Sequence, residues 1–419
     1  VLESQIMYTG PSLNVADAND DEETRNESTT VLERAAENFK STADNVTNYV
    51  IKIINKVTGN DNTLNVTLDN VNIDVSREYK DAALSVEGEG NTKITLVGRN
   101  TLTSGNYHAG LEHNEKSDGG KDTGTLTITS GNTDGSNTGS LTATGNGGAA
   151  GIGSVWNTGN YSDSGAGDIE ITGGDITAIG ASDGAGIGSG CNATGETNIT
   201  ISGTAKIKAQ TEQGGAGIGS GSRATGNTNI TISGGTIETA QGGSGGAGIG
   251  SGDDSTGTTN IIINRGTIVE AVGGNTGDGI GGGSNSNNTT VTIQGGHIEK
   301  AQGGKGYGRY YDAGDGIHSD GKLTISGGTI GTAQGGTGKS GGDGIYSSGG
   351  LTISGGSINT KGGDSTDDDG GDGIHGDSKL TISGGIIETA QGGTSSSKNG
   401  GNGIFGWQTM EILGGIIKK

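Results

Sequence analysis

The sequence predicts an all-β fold: a single-stranded parallel β-helix (solenoid) of about 12 three-strand coils with a short N-terminal helical cap. Three observations predict it. The pattern apolar–Thr–apolar–Ser–Gly–Gly returns about every 30 residues. Glycine fills 92 of 419 positions while proline occurs once. Hydrophobic residues make up only 27 %, too few for one large core, yet a strict period excludes the disorder that so polar a chain would otherwise imply.

From the N-terminus, residues 1–44 read as an acidic arm followed by a capping helix, and 45–419 as the β-helix. Val31, Leu32, Ala35, Ala36 and Phe39 stand at helical spacing, which predicts a helix over 30–43 covering the otherwise open edge of the first coil. YVIKII at 49–54 starts the sheet, and the first-strand pattern then recurs from Val66/Leu68 to Met410/Ile412, twelve times. Steps from Ile171 onward are 30, 31, 31, 30, 32, 28, 29 and 30 residues; the step from Ile128 to Ile171 is longer, at 43.

Each repeat holds three strand signals: the LTISGG type, the TIETAQ type (Ile237 with Ala240, Ile298 with Ala301) and Gly-X-Gly-Ile (Ile187 through Ile404). Alternation at period two gives each strand one inward and one outward face. Glycine at the bends completes a triangular coil. Coils stacked about 4.8 Å apart make a rod of about 55 Å, in which like residues stack in columns and each coil buries its face on its neighbours.

The formal charge is −22, which argues against a nucleic-acid partner. No stretch approaches the length of a membrane span. Cys191 is alone, so no intrachain disulfide forms. The chain begins at Val1 with no secretory leader, which reads as a processed or excised segment.

The X of Gly-X-Gly-Ile changes along the rod. It is Ala150, Ala185, Ala216 and Ala247, then Asp278, Asp315, Asp343 and Asp372, then Asn402. Carboxylates stacked about 5 Å apart repel by about 1 kcal/mol per pair even in water, so they either bind cations, Ca²⁺ suiting an oxygen-rich site, or accept hydrogen bonds from their glycine-rich turns. Both readings stand at this point. Three residues on, the column carries His318, Tyr346, His375 and Phe405: a packed outer stack, or a ring platform for sugars. Two insertions hold Trp156 and Tyr161, and Tyr307, Arg309, Tyr310 and Tyr311; loops leaving a regular scaffold are common binding sites, although packing on the rod's flank fits as well. A glutamine column (Gln210, Gln241, Gln302, Gln334, Gln391) is expected to form an amide ladder.

The segments NVTLDNVNI (65–73), DAALSV (81–86), TKITLVGRNTLTSG (92–105), AGL (109–111), TLTI (125–128), AGIGSG (185–190, 216–221, 247–252) and the DGI copies at 278–280, 315–317, 343–345 and 372–374 resemble the carbohydrate-binding, pectate-lyase-like β-helix domain of Gram-positive, largely clostridial, surface proteins. The resemblance covers about residues 45–419. It implies a right-handed β-helix outside the cell that binds plant or acidic polysaccharide with calcium and does no catalysis.

Catalysis of the lyase type needs an Arg or Lys base beside clustered aspartates, and only Arg309 lies near such a cluster (Asp312, Asp315), so the chain is expected not to be an enzyme. The leading expectation is an extracellular, cell-surface or secreted, non-catalytic rod. It binds polysaccharide or cell-wall glycan through the aromatic residues above, with Ca²⁺ at Asp278, Asp315, Asp343 and Asp372. The alternative is a structural subunit of a filament or adhesin stalk. An acidic arm that would need a partner, another copy among the candidates, to pin it, and a last repeat that stops at Lys419 without a cap, favour that alternative, with homo-oligomeric assembly head to tail.

Overall fold

The computed structural model describes residues 3–8, 13–14, 50–56, 63–77, 81–116, 122–131, 139–159, 164–306 and 311–418. The expected helix over 30–43 lies outside them, as do Tyr161, Tyr307, Arg309 and Tyr310. Among the described residues the regular elements are β-strands, stacked in parallel.

Each coil contributes three strands. In one coil these are Thr197–Ile201, Lys206–Gln210 and Ile218–Gly219. Each lies on its counterpart one coil later, with Ile199 opposite Ile230, Ile207 opposite Ile237 and Ile218 opposite Ile249. The third strands form a 13-stranded sheet. The first and second strands form a 23-stranded sheet, because Thr228–Gln241 and Thr259–Val272 run unbroken round the corner between them. Twelve copies of the first strand, from Leu64–Asp69 to Thr409–Ile412, delimit about 11 turns rather than 12. Within the segment read as an arm, Glu3–Tyr8 pairs with Val50–Asn55, and Leu13 and Asn14 pair with Val66 and Thr67, so part of it extends the sheets.

The interior is a set of apolar columns. Ile187, Ile218, Ile249, Ile280, Ile317, Ile345 and Ile374 stack through the third face, all fully buried. Each such side chain contributes about 1.5–3 kcal/mol on burial. This explains how a chain poor in large hydrophobic residues holds together: a few isoleucines per coil are shielded from both sides by the next coils.

Polar ladders run outside these columns. Asn198 donates to Asp168 (2.8 Å), Asn229 to Asn198 (2.8 Å) and Asn260 to Asn229 (2.9 Å). The glutamine column does not form the expected ladder. Gln241 and Gln302 donate instead to the carbonyls of Gly242 (3.0 Å) and Gly303 (3.1 Å). Val272 stands between Gln241 and Gln302 and interrupts the column, and the carbonyl of the following glycine lies within reach of each of these amides. Cys191 is buried, and burial pushes its thiol up to about 11, which leaves it inert.

Candidate functional site

The aspartates of the third face do stack, and the fold gives each a specific partner. In the alanine coils the amide of X closes its own turn: Ala185 N–H donates to the Ser189 carbonyl and Ala216 N–H to that of Ser220 (3.0 Å each). From Asp315 onward that bond is replaced by one between coils. Asp315 N–H donates to Asp278 Oδ1 (2.8 Å), Asp343 N–H to Asp315 Oδ1 (2.5 Å), Asp372 N–H to Asp343 Oδ1 (2.5 Å) and Asn402 N–H to Asp372 Oδ1 (2.5 Å). Each carboxylate thus satisfies a buried amide of the next coil, a group that would be costly to leave unpaired.

The second oxygens meet histidines. His318 Nδ1 lies 3.2 Å from Asp278 Oδ2 and 3.1 Å from Asp315 Oδ2, and its Nε2 lies 3.4 Å from Asp320 Oδ1. The arrangement recurs two coils on. His375 Nδ1 lies 2.8 Å from Asp343 Oδ2 and 3.4 Å from Asp372 Oδ2, and its Nε2 lies 3.1 Å from Asp377 Oδ1. Tyr346 occupies the intervening coil and donates its hydroxyl to Asp377 Oδ2 (2.5 Å). Among the described residues, the ion-pair partners of the four column aspartates are these two histidines.

The electrostatics follow from this crowding. Burial alone pulls His318 down, but Asp278 and then Asp315 and Asp320 outweigh it and hold the ring well above its ordinary value. His375 is raised in the same way by Asp343, Asp372 and Asp377. Burial lifts Asp315 and Asp343 above the usual carboxylate range, and the carboxylate of the preceding coil adds to this, with the nearby histidine partly offsetting both. Burial also raises Asp372, partly offset by the amide of Asn402. Burial would raise Asp320 too, but His318 outweighs it and holds Asp320 low.

The rings form one ladder along the rod. His318, Tyr346, His375, Phe405 and Trp407 meet edge to face, with centroids 4.8, 5.2, 5.0 and 6.0 Å apart. The first four are half-buried and Trp407 is exposed. Trp156 is elsewhere, packed edge-on against Tyr107 at 4.9 Å with its indole lying over Gly148. Tyr311 is exposed and lines a shallow groove of about 370 Å³ with Asp253, Asn275 and Ser284.

Sequence reading missed Asp377 and Trp407, and saw in Asp320 only one of several acids near the column. The signal for the two aspartates was present: DGIHSD at 315–320 and DGIHGD at 372–377 share the form Asp-Gly-Ile-His-X-Asp, whereas the coil between them reads DGIYSS. Also missed was a polar groove of about 670 Å³ along the glutamine column, lined by Glu212, Gln241, Lys300, Gln302, Lys305 and Gln334.

The stacked coils and their internal columns define the class: this is a parallel β-helix repeat protein. A family model described as a beta helix repeat matches residues 169–191, 199–222 and 230–253, the coils that carry the AGIGSG segments. No curated protein and no solved structure matches the chain. Among the described residues no helix is long and apolar enough to cross a membrane.

Proposed function

We propose that the chain is a non-catalytic extracellular β-helix that binds polysaccharide along the flank of its last third, with a cation in the aspartate column assisting. The observation that carries this is the ring ladder of His318, Tyr346, His375 and Phe405, one ring per coil beside the acidic column, with Trp407 against Phe405 in the last coil. A platform with a molecular period suits a repeating polymer better than a single small molecule, and ring surfaces pack well on the apolar C–H faces of sugars. A cation in the column would lower the charge of the flank and so admit an acidic polymer. Co-sedimentation with insoluble neutral and acidic polysaccharides tests the reading. Trp407→Ala and Tyr346→Ala should each lower retention on the bound polymer by about tenfold, the loss of roughly 1.4 kcal/mol. Equal retention of both variants, or no retention of the unaltered chain on any polymer, would sink it.

A further inference from the structure

We propose that Asp278, Asp315 and His318, and again Asp343, Asp372 and His375, form two equivalent sites for a divalent transition ion of the zinc type, with Asp320 and Asp377 as outer carboxylates. The assignment is independent of whether the rod binds a glycan.

Geometry is the first argument. In each site the ligating atoms converge within 4.8 Å of one another. The Nδ1-to-Oδ2 separations are 3.1 and 3.2 Å in one and 2.8 and 3.4 Å in the other. A tetrahedral ion with bonds of about 2.0–2.1 Å has ligand-to-ligand edges of about 3.3 Å. Two of the three ligand-to-ligand edges of each site therefore already stand near the separation that such an ion requires, and the third is within 4.8 Å.

Orientation is the second argument. Each Oδ1 used by the next coil's amide fixes its carboxylate, leaving Oδ2 directed at the histidine; Gly282 N–H further anchors Asp278 Oδ2 (2.8 Å). On the far side of each ring, Nε2 is buried and faces a carboxylate, Asp320 Oδ1 at 3.4 Å or Asp377 Oδ1 at 3.1 Å. A carboxylate there favours the Nε2–H tautomer, the usual outer-shell arrangement of a metal-bound histidine. That tautomer turns the Nδ1 lone pair toward two carboxylate oxygens. A lone pair facing two anions needs a positive centre between them, and a metal ion and a proton are the two candidates.

The donor set selects the ion. Ca²⁺ and Mg²⁺ take oxygen ligands, whereas an imidazole nitrogen with two carboxylates suits zinc, cobalt or nickel. This departs from the calcium expected on the aspartates alone, because the sequence did not show that a histidine would enter each pair. The histidine side chains are 20–21 % exposed, so an ion can enter. The coil between the sites supplies an internal contrast, since it presents Tyr346 where a histidine would stand.

The test is equilibrium dialysis of the chelator-treated chain against Zn²⁺, with Co²⁺ absorption as a second readout. Two ions per chain are expected, one in His318→Gln, one in His375→Gln and none in the double variant. Excess Ca²⁺ should not displace them. Co²⁺ should give the visible bands of a low-symmetry, nitrogen-ligated ion in the unaltered chain, a result that does not depend on any variant folding. The proposal is overturned if Zn²⁺ binds no tighter than about 1 mM. It is equally overturned if the folded double variant keeps both ions, if Ca²⁺ displaces Zn²⁺, or if Co²⁺ remains hexaaquo-like. In the first case the positive centre is a proton only.

Discussion

Two stretches of the rod, 150–250 and 315–406, solve one backbone problem with different chemistry. Both carry Gly-X-Gly-Ile and keep the same ladder bonds between coils, for example Ile187 N–H to Gly217 O and Ile317 N–H to Gly344 O (3.0 Å each). In the first stretch X is alanine and its amide is satisfied within its own coil. The residue after isoleucine is then glycine at positive φ, as at Gly188 (+134°), Gly219 (+142°) and Gly250 (+144°). Serines in the same turn catch the next coil: Ser189 Oγ accepts Gly221 N–H (3.1 Å) and Ser220 Oγ accepts Gly252 N–H (3.0 Å). In the second stretch aspartate takes over the amide, and the position after isoleucine carries a ring. The coil at 278–282 joins the two modes, since Asp278 closes its own turn onto Gly282 O and also accepts Asp315 N–H. The difference teaches that a coil whose X amide is satisfied within its own turn stays neutral at that position. A coil that satisfies its neighbour through a carboxylate acquires charge, and with it a place for a cation.

The largest expected contrast is at the residue after isoleucine. A Cβ at Gly219 would lie 1.8 Å from Gly250 O, at a φ that side chains rarely adopt. Gly219→Ala should cost more than about 3 kcal/mol, while Tyr346→Ala at the equivalent place in the other stretch should cost about 1–3 kcal/mol. Hydrogen exchange would show the loss confined to neighbouring coils, as expected of a solenoid. Equal costs at the two positions would erase the distinction between the stretches.

Next is the aspartate column. Asp343→Ala orphans the Asp372 amide and one side of His375, and should destabilise by about 2–4 kcal/mol. Asp343→Asn keeps an oxygen for the amide and should lose less than half as much. If chemical denaturation ranks the two variants equally, the amide bond is not the reason for the aspartate.

Ser220→Ala in the alanine stretch removes an uncharged acceptor of the Gly252 amide and should cost about 1–2 kcal/mol, less than Asp343→Ala. A larger cost than at Asp343 would reverse the assigned order of the two mechanisms.

The smallest effect concerns His108, whose carboxylate partner Glu112 lies in its own coil at 2.7 Å, unlike the histidines of the last third, which bridge coils. Burial pulls His108 down, but Glu112 outweighs it and holds the ring above its ordinary value. A raised folded value means the pair stabilises fully below the unfolded value of about 6.5 and stops doing so as pH rises through the folded one. The melting-temperature gap between the unaltered chain and His108→Gln should therefore shrink from about pH 5 to about pH 9. A gap that is constant or widens would refute the pairing.

Much of this architecture could be read from residue order. The period, the three strand types, the isoleucine columns and the change from Ala to Asp at X all follow from spacing and alternation, which are local properties of the chain. The stacking of His318, Tyr346 and His375 was equally legible, because equal spacing from each Gly-X-Gly-Ile puts them in register. The glutamine ladder was misread because the presence of like residues in a column does not say which way their amides turn.

What the tertiary structure decided is which atoms meet across coils. Asp278 reaches the amide of a residue 37 positions away and Asp343 one 29 positions away, and no single offset predicts both. The insertion before residue 311 shifts the count, and only the stacked register restores it. The placement of each histidine between two carboxylates has the same origin: its own coil supplies one aspartate and the preceding coil supplies the other. The sequence determined that acidic and aromatic columns would exist. Their conversion into two enclosed, three-ligand sites required the coils to close on one another, because the contacts lie along the rod axis while the chain runs around it.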